Sequence, residues 1–434
     1  MKRLAAVLLL AAASAHADGP GAASPTLTFQ GAIELSLGRN PDVVAAREAV
    51  RGADARTAEH EAKRWVRLNV TATLDRYREA YALDFAGSPV VLHEALTTTT
   101  VVSLNQPLTG LVYLSALVGA AEHDASSTRQ DLDRVKLETA YKTADAYIRV
   151  LAARTIAIVA HQTVEDIQRG LERATQLRQA DTYTDIDVLR FRSAKAAADQ
   201  TALRAETVAA TSLASLTVQL GLPDGAPIAI ADDLPLTPPP LVMSLQQAQV
   251  RALGTRPELA SAHEKIAAYD EQRTAAKAGY VPDIRAVAAW QHVTGVQPFQ
   301  PSNDEYIGLT AAWNVWDWGA THAVVLQAES AKTIAEIMTN GLVEQVKLEV
   351  RRRWLEANTQ FDSLAVAAQQ QQTAEEAFRL MKVRLDNAAA TTTDVLDAET
   401  DVARARLAVA TARYDYYLAL VGLARSVGDL PKPE

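Results

Sequence analysis

The sequence predicts a mainly α-helical chain with a membrane β-barrel portion: long helices plus four amphipathic strands per chain. Three observations carry this reading. Long stretches keep apolar or small residues at 3-4-3 spacing, the period of a helix seam. Two stretches switch to strict alternation, the period of a strand with one apolar face. The chain also repeats itself. Ala32, Leu37, Gly38, Pro41 and Asp42 reappear in register as Ala248, Leu253, Gly254, Pro257 and Glu258. Composition agrees: the 434 residues are 22% charged and only 6% aromatic, and alanine, the best helix former, is abundant.

The chain opens with Lys2 and Arg3, an apolar run from Leu4 to Ala13, and the small-x-small site Ala15-His16-Ala17. This pattern is a secretory signal peptide over 1–17, and its apolar run of about ten residues is too short to span a bilayer. The first repeat is expected over 18–221 and begins with a helix from Leu27 to Arg64. Thr28 can cap that helix, and Asn40-Pro41-Asp42 interrupts it, because the residue before a proline disfavours the helical region. Leu68 to Asp75 then alternates, a loop around Gly87-Ser88-Pro89 follows, and a Thr-rich strand runs from Ala95 to Leu104. This hairpin is expected over about 66–105.

The second repeat, 244–428, follows the same plan. Ile284 to Thr294 is one strand, Gly295 to Asn303 a loop, and Tyr306 to Val315 the return strand, in a hairpin over about 282–316. Strands of about ten residues are long enough to cross a bilayer when tilted. Seams follow at Tyr141, Ala144, Ile148 and Leu151, at Trp354, Ala357, Phe361, Leu364 and Ala368, and at Val395, Ala398, Val402, Ala405, Val409 and Ala412. Between the repeats, 222–243 with Pro238-Pro239-Pro240 reads as a surface linker, and 429–434 as a loose tail.

Four strands cannot close a barrel, and in lipid each unpaired backbone group costs several kcal/mol. The chain is therefore expected to assemble around an axis. The absence of cysteine excludes disulfides and thiolate metal sites.

The signal peptide, the two-fold repeat, the Asn40-Pro41-Asp42 and Arg256-Pro257-Glu258 phrases, one hairpin per half, the strand-to-helix turns ending in Gly110 and Gly319, and the turn Asp394-Val395-Leu396-Asp397-Ala398 together resemble the TolC-like outer-membrane efflux protein family. The resemblance covers nearly the whole mature chain. It implies a homotrimer with a barrel of twelve strands in the outer-membrane lipid and a helical barrel crossing the periplasm. It also implies a passive exit duct serving efflux or type I secretion, fed by an inner-membrane pump through a periplasmic adaptor protein. Within that family, carboxylates at the positions of Asp394 and Asp397 line the constriction, and Asp187 holds a position that receives links from a neighbouring helix. The family's tyrosine and arginine partners fall here on Leu385 and Ala390, with Arg384 adjacent, and Asp181 and Ala388 replace its tip glycines.

A simpler reading stands beside the pore reading. Acids in a first helical turn suit the helix dipole, and Thr393 or Asp394 can serve as caps. Asp401 extends the Asp394–Asp397 face, with capping or solvation the stronger reading there, and Asp181, Asp185 and Asp187 are candidates for contact with a basic adaptor tip. The aromatics Tyr77, Tyr81, Trp290, Tyr306 and Trp313 are expected to form membrane-interface girdles. Trp316 and Trp318 are expected to pack at the barrel-to-helix junction. A net charge of −9 argues against nucleic-acid binding. No metal, cofactor or catalytic constellation is expected: the eight histidines are scattered and no nucleotide or nucleophile motif occurs. The alternatives are a periplasmic coiled-coil adaptor and, less favoured, a periplasmic enzyme.

Overall fold

The structure, a computed structural model, describes residues 26–223, 225–296, 301–387 and 389–431. The signal-peptide stretch, part of the second-hairpin loop and Ala388 lie outside the described residues. The two repeats match element by element. The first contains α1 (Phe29–Arg39), α2 (Pro41–Ala62), α3 (Gly110–Gln179) and α4 (Asp185–Gln219). The second contains α5 (Leu245–Thr255), α6 (Pro257–Lys277), α7 (Ala320–Asp386) and α8 (Thr392–Val427). At 1.5 Å per residue, α3 and α7 are each on the order of 100 Å long. No described helix is long and apolar enough to cross a membrane.

The caps explain where the helices break. Thr28 Oγ1 accepts from Gly31 N, and Asn40 Oδ1 accepts from Asp42 N just ahead of Pro41 at the first position of α2. Asn40 Nδ2 also donates to Gln219 O at 3.0 Å, tying the kink to the end of α4. At the matching kink of the second repeat, Arg256 is only 7% exposed and pairs with Glu258 and Glu349, while Arg425 joins Glu349 to Glu138 on α3. One repeat fastens its kink with an amide, the other with an ion network across four helices.

A single antiparallel sheet stands on these helices. Its strands are β2 (Arg67–Arg76), β3 (Tyr81–Phe85), β4 (Ser88–Pro107), β6 (Asp283–Val296) and β7 (Asn303–Ala312), with β1 (Thr26–Leu27) and β5 (Ala229–Ile230) forming a separate parallel pair. The order β2-β4-β6-β7 joins the two hairpins through β4 and β6, with β3 pairing only to β4. Register sorts the two faces. Leu68, Val70 and Leu74 lie level with Leu104, Val102 and Thr98, and that row continues through Ala288 and Trp290 to Ile307 and Glu305. The opposite face carries Asn69, Thr71, Thr73, Ser103, Gln291 and Thr310. One face is mostly apolar and the other mostly polar, as a lipid-facing sheet around a wet lumen demands.

The first hairpin differs from expectation. Gly87-Ser88-Pro89 is not a long loop: Ala86 and Gly87, at φ 54 and 83, make a two-residue turn between β3 and an uninterrupted β4 of 20 residues. Two positive φ values define the turn type that matches strand twist, and an alanine in the first position hides the signal. The helix seam on α7 also shifts, since Ala357 and Ala367 are buried whereas Phe361 is exposed.

The linker is more than a surface crossing. Ile230 and Leu234 are buried, and Tyr416 and Tyr417 of α8 donate to Pro239 O and Pro235 O. Tyr147 of α3 is fully buried beneath it, with its hydroxyl 2.7 Å from Ala231 O, 2.9 Å from Asp233 Oδ1 and 3.1 Å from Leu27 O. Burial first, then the neighbouring Asp233, pushes this phenol far above its ordinary pKa, so it remains a donor. At the other end, Asp429 pairs with Arg251 and Pro431 is buried. Tyr147→Phe removes the one hydroxyl donor shared by these oxygens and should cost about 1–2 kcal/mol, seen as a lowered thermal midpoint with an unchanged circular dichroism spectrum.

Candidate functional site

The far end of the tube consists of two helix-to-helix turns built alike. After α3, Thr182 N donates to Leu177 O and Asp181 N to Arg178 O; after α7, Ala389 N donates to Arg384 O. These are the hydrogen bonds of a Schellman C-cap, which needs a left-handed residue next to last. Asp181 takes that conformation at φ 56 where glycine is usual, and an aspartate tolerates it better than most side chains.

Each returning helix then starts with a capping box. Thr184 Oγ1 accepts from Asp187 N, while Asp187 Oδ2 accepts from Thr184 N at 2.9 Å. Thr391 and Asp394 repeat the arrangement, with Asp394 Oδ2 2.7 Å from Thr391 N and 2.8 Å from its hydroxyl. Asp394 is therefore the counterpart of Asp187, and Thr391, rather than Thr393 or Asp394, is the cap. The sequence signal of both boxes is Thr-x-x-Asp, present as Thr184–Asp187 and Thr391–Asp394.

The two turns are also tied to one another. Thr392 is buried and its hydroxyl donates to Asp187 Oδ1 at 2.5 Å. Arg190, which occupies the first-repeat position equivalent to Asp397, donates from Nη1 to Thr393 Oγ1 at 2.6 Å. Beneath them Leu171, Val188, Phe191 and Leu396 pack into a small core. Gly170 makes room for it, since a Cβ there would meet the Phe191 ring at 2.6 Å.

Hydrogen bonds from Thr392 and then from Thr184 hold the Asp187 carboxyl below its ordinary range. The Thr391 backbone and hydroxyl do the same for Asp394, with Arg384 adding a favourable charge. Arg178 clamps Asp185 and reaches Asp181, and its bonds depress Asp185. Asp394 and Asp397 are both exposed, and Asp397 makes no hydrogen bond or ion pair among the described residues. Asp401 faces Arg404 one turn on.

Paired long helices thus carry an amphipathic sheet of joined hairpins at one end and two acid-capped turns at the other. Residues 32–222 and 249–429 match the outer membrane efflux protein family. The chain belongs to that family. The outer membrane efflux protein BepC of Brucella suis is 23% identical over 414 residues, 94% of this chain and 87% of BepC. CusC, described as undergoing conformational changes on folding and transmembrane channel formation, superposes with a TM-score of 0.80 at 16% identity, covering 94% of this efflux protein and 93% of CusC. VceC, an outer membrane protein of Vibrio cholerae, gives 0.79 at 17% identity over 92% of this chain and 96% of its own.

In this outer-membrane efflux protein the girdle aromatics separate. Trp290 lies on the apolar face, and Trp313 follows β7 at its helix-side end. Tyr306, level with Ala289, lies on the polar face, the wrong side for contact with lipid. Tyr77 and Tyr81 sit at the opposite end and flank His93, with ring centroids 4.5 and 5.8 Å away. Trp316 and Trp318 do not bury at the junction; they meet edge to face at 5.6 Å and stay exposed. The described residues contain no group of carboxylates and histidines arranged to hold a metal ion.

Because the Asp187 and Asp394 carboxyls are depressed, their stabilising contribution is present above the ordinary value of 3.8 and is lost as pH falls through the depressed values. Hydrogen exchange should show peptides covering 181–190 and 389–397 protected at pH 5 and progressively losing protection as pH falls below 3.8. Protection that stays at its pH 5 level after both carboxyls are fully protonated would contradict the capping geometry.

Proposed function

We propose that the chain is one third of a trimeric exit duct of a tripartite efflux or type I secretion system. Three copies supply twelve strands and close the barrel in the outer membrane, and their helices form the tube in the periplasm. The duct conducts passively what an inner-membrane pump delivers through a periplasmic adaptor, and it carries out no chemical step. The observation that carries this reading is the sheet itself: one apolar and one polar face, two hairpins joined in register, and the β2 and β7 edges left for neighbouring copies. Trp290 and Trp313 are assigned to the lipid-facing surface.

The closing end is the pair of acid-capped turns. Capping and lining the pore are compatible for Asp394: the box uses Oδ2, and the side chain remains exposed. Asp394 and Asp397, three residues apart on one face of α8, give stacked acidic rings in a trimer. The ties from Thr392 to Asp187 and from Arg190 to Thr393 do the locking for which the family's usual partners are missing. With Asp181, Asp185 and Asp187 already engaged, contact with a basic adaptor is the weaker role for these acids.

Purified protein in a planar bilayer tests both parts. Asp394→Asn with Asp397→Asn should weaken block by trivalent cations severalfold; unchanged block rejects the acidic rings, and no conductance at all rejects the duct. Thr392→Val removes one side-chain hydrogen bond, worth about 1 kcal/mol or roughly a factor of five in an equilibrium per protomer, and should raise spontaneous opening by at least that factor.

A further inference from the structure

A second acid on α8 behaves unlike those at the turn. Val395, Glu399, Val402 and Ala405 form the stripe of α8 that is buried against its neighbours. A carboxylate thus occupies a seam position that packing would give to an apolar side chain, and it is only 7% exposed. It is not inherited from the repeat, since the equivalent first-half residue is Arg192, which is exposed.

The charged groups around Glu399 come from all three helices meeting there. Asp166 and Arg169 approach from α3, Lys382 from α7, and Arg406 from α8 itself. The cations are already committed. Arg406 pairs with Asp166 at 3.1 Å and with Glu375 of α7 at 3.3 Å, Arg169 also pairs with Asp166, and Lys382 Nζ sits 4.1 Å from the centre of the Phe378 ring. Among the described residues no hydrogen bond or ion pair reaches Glu399. An ionised carboxylate with no dedicated partner is costly in such a place, whereas a protonated one is tolerated.

We propose that Glu399 is a proton-operated latch just above the closing turns: protonated, it lets α3, α7 and α8 pack together, and ionised, it loosens them and eases opening. The proposal rests on the reading of these turns as the closing end of the duct. Burial, followed by the charge of Asp166, pushes the Glu399 carboxyl up to about 7 from 4.5. The packed state therefore binds a proton that a solvated glutamate has already released. Its stability is full below 4.5 and falls as pH rises through about 7. This is opposite in sign to the capping acids, and it operates around neutral pH, where they stay ionised.

The test uses the purified full chain and Glu399→Gln in planar bilayers from pH 5.5 to 8.5, with pH-difference infrared spectra of the same preparations. The wild type should open about tenfold more often at the alkaline end, with a midpoint near 7, and should show a protonated-carboxyl band that titrates over the same range. Glu399→Gln should lack that band and stay at the low, acid-like opening level throughout. A variant that keeps the wild-type pH profile, or a band that titrates without any change in opening, overturns the latch while leaving the duct intact. Absence of conductance at every pH overturns the duct reading and the latch with it.

Discussion

The constraint on which the rest of the structure depends is backbone pairing at the two edges of one sheet. Within one chain β2 and β7 each have a neighbour on one side only. In hydrocarbon that arrangement is untenable, so the edges require other copies, and the strands must twist and tilt until the sheet closes. The helices inherit the consequence. They leave the sheet from fixed points, at Gly110 after β4 and at Ala320 after β7, and Thr109 stitches the first of these to the neighbouring hairpin through Pro282 O and Ile284 N. From there helix length alone carries the tip on the order of 100 Å away.

Periodicity made most of this legible in the sequence. The kinks at Asn40-Pro41 and Arg256-Pro257, the second hairpin, the two long helices and their returning partners stand where alternation, helical spacing and proline put them, while the first hairpin turns earlier. The departures share one physical cause: they concern residues whose role depends on what lies opposite. Ala86 can sit in a primed turn because β3 and β4 pair around it, and nothing in alanine announces that. Tyr306 reads as an interface aromatic until register assigns it to the polar face. The linker reads as a surface crossing because its anchors, Tyr147, Tyr416 and Tyr417, lie far away in the chain.

At the tip the same limit applies more sharply. The acids were visible as acids, but their distinct roles come from threonines. Thr184 and Thr391 turn Asp187 and Asp394 into caps, and Thr392 and Thr393 link the two repeats. Threonine is a weak signal in a sequence because its hydroxyl is satisfied in many settings. Only the fold brings residue 392 within reach of residue 187.

One helix therefore holds two acids whose proton affinities are shifted in opposite directions for opposite reasons. Asp394 sits at the N-terminus of α8, where backbone N–H groups and the helix dipole favour a negative charge, and hydrogen bonds keep it ionised. Glu399, five residues on, lies beyond the first turn of α8 and faces the seam, outside the reach of the helix dipole and only 7% exposed. A charge at the first position fastens the turn; a charge at the second works against the packing beneath it. The turn and its foundation thus respond to protons with opposite sign, and the closed end is best held where both are satisfied, above the titration of the caps and below that of Glu399.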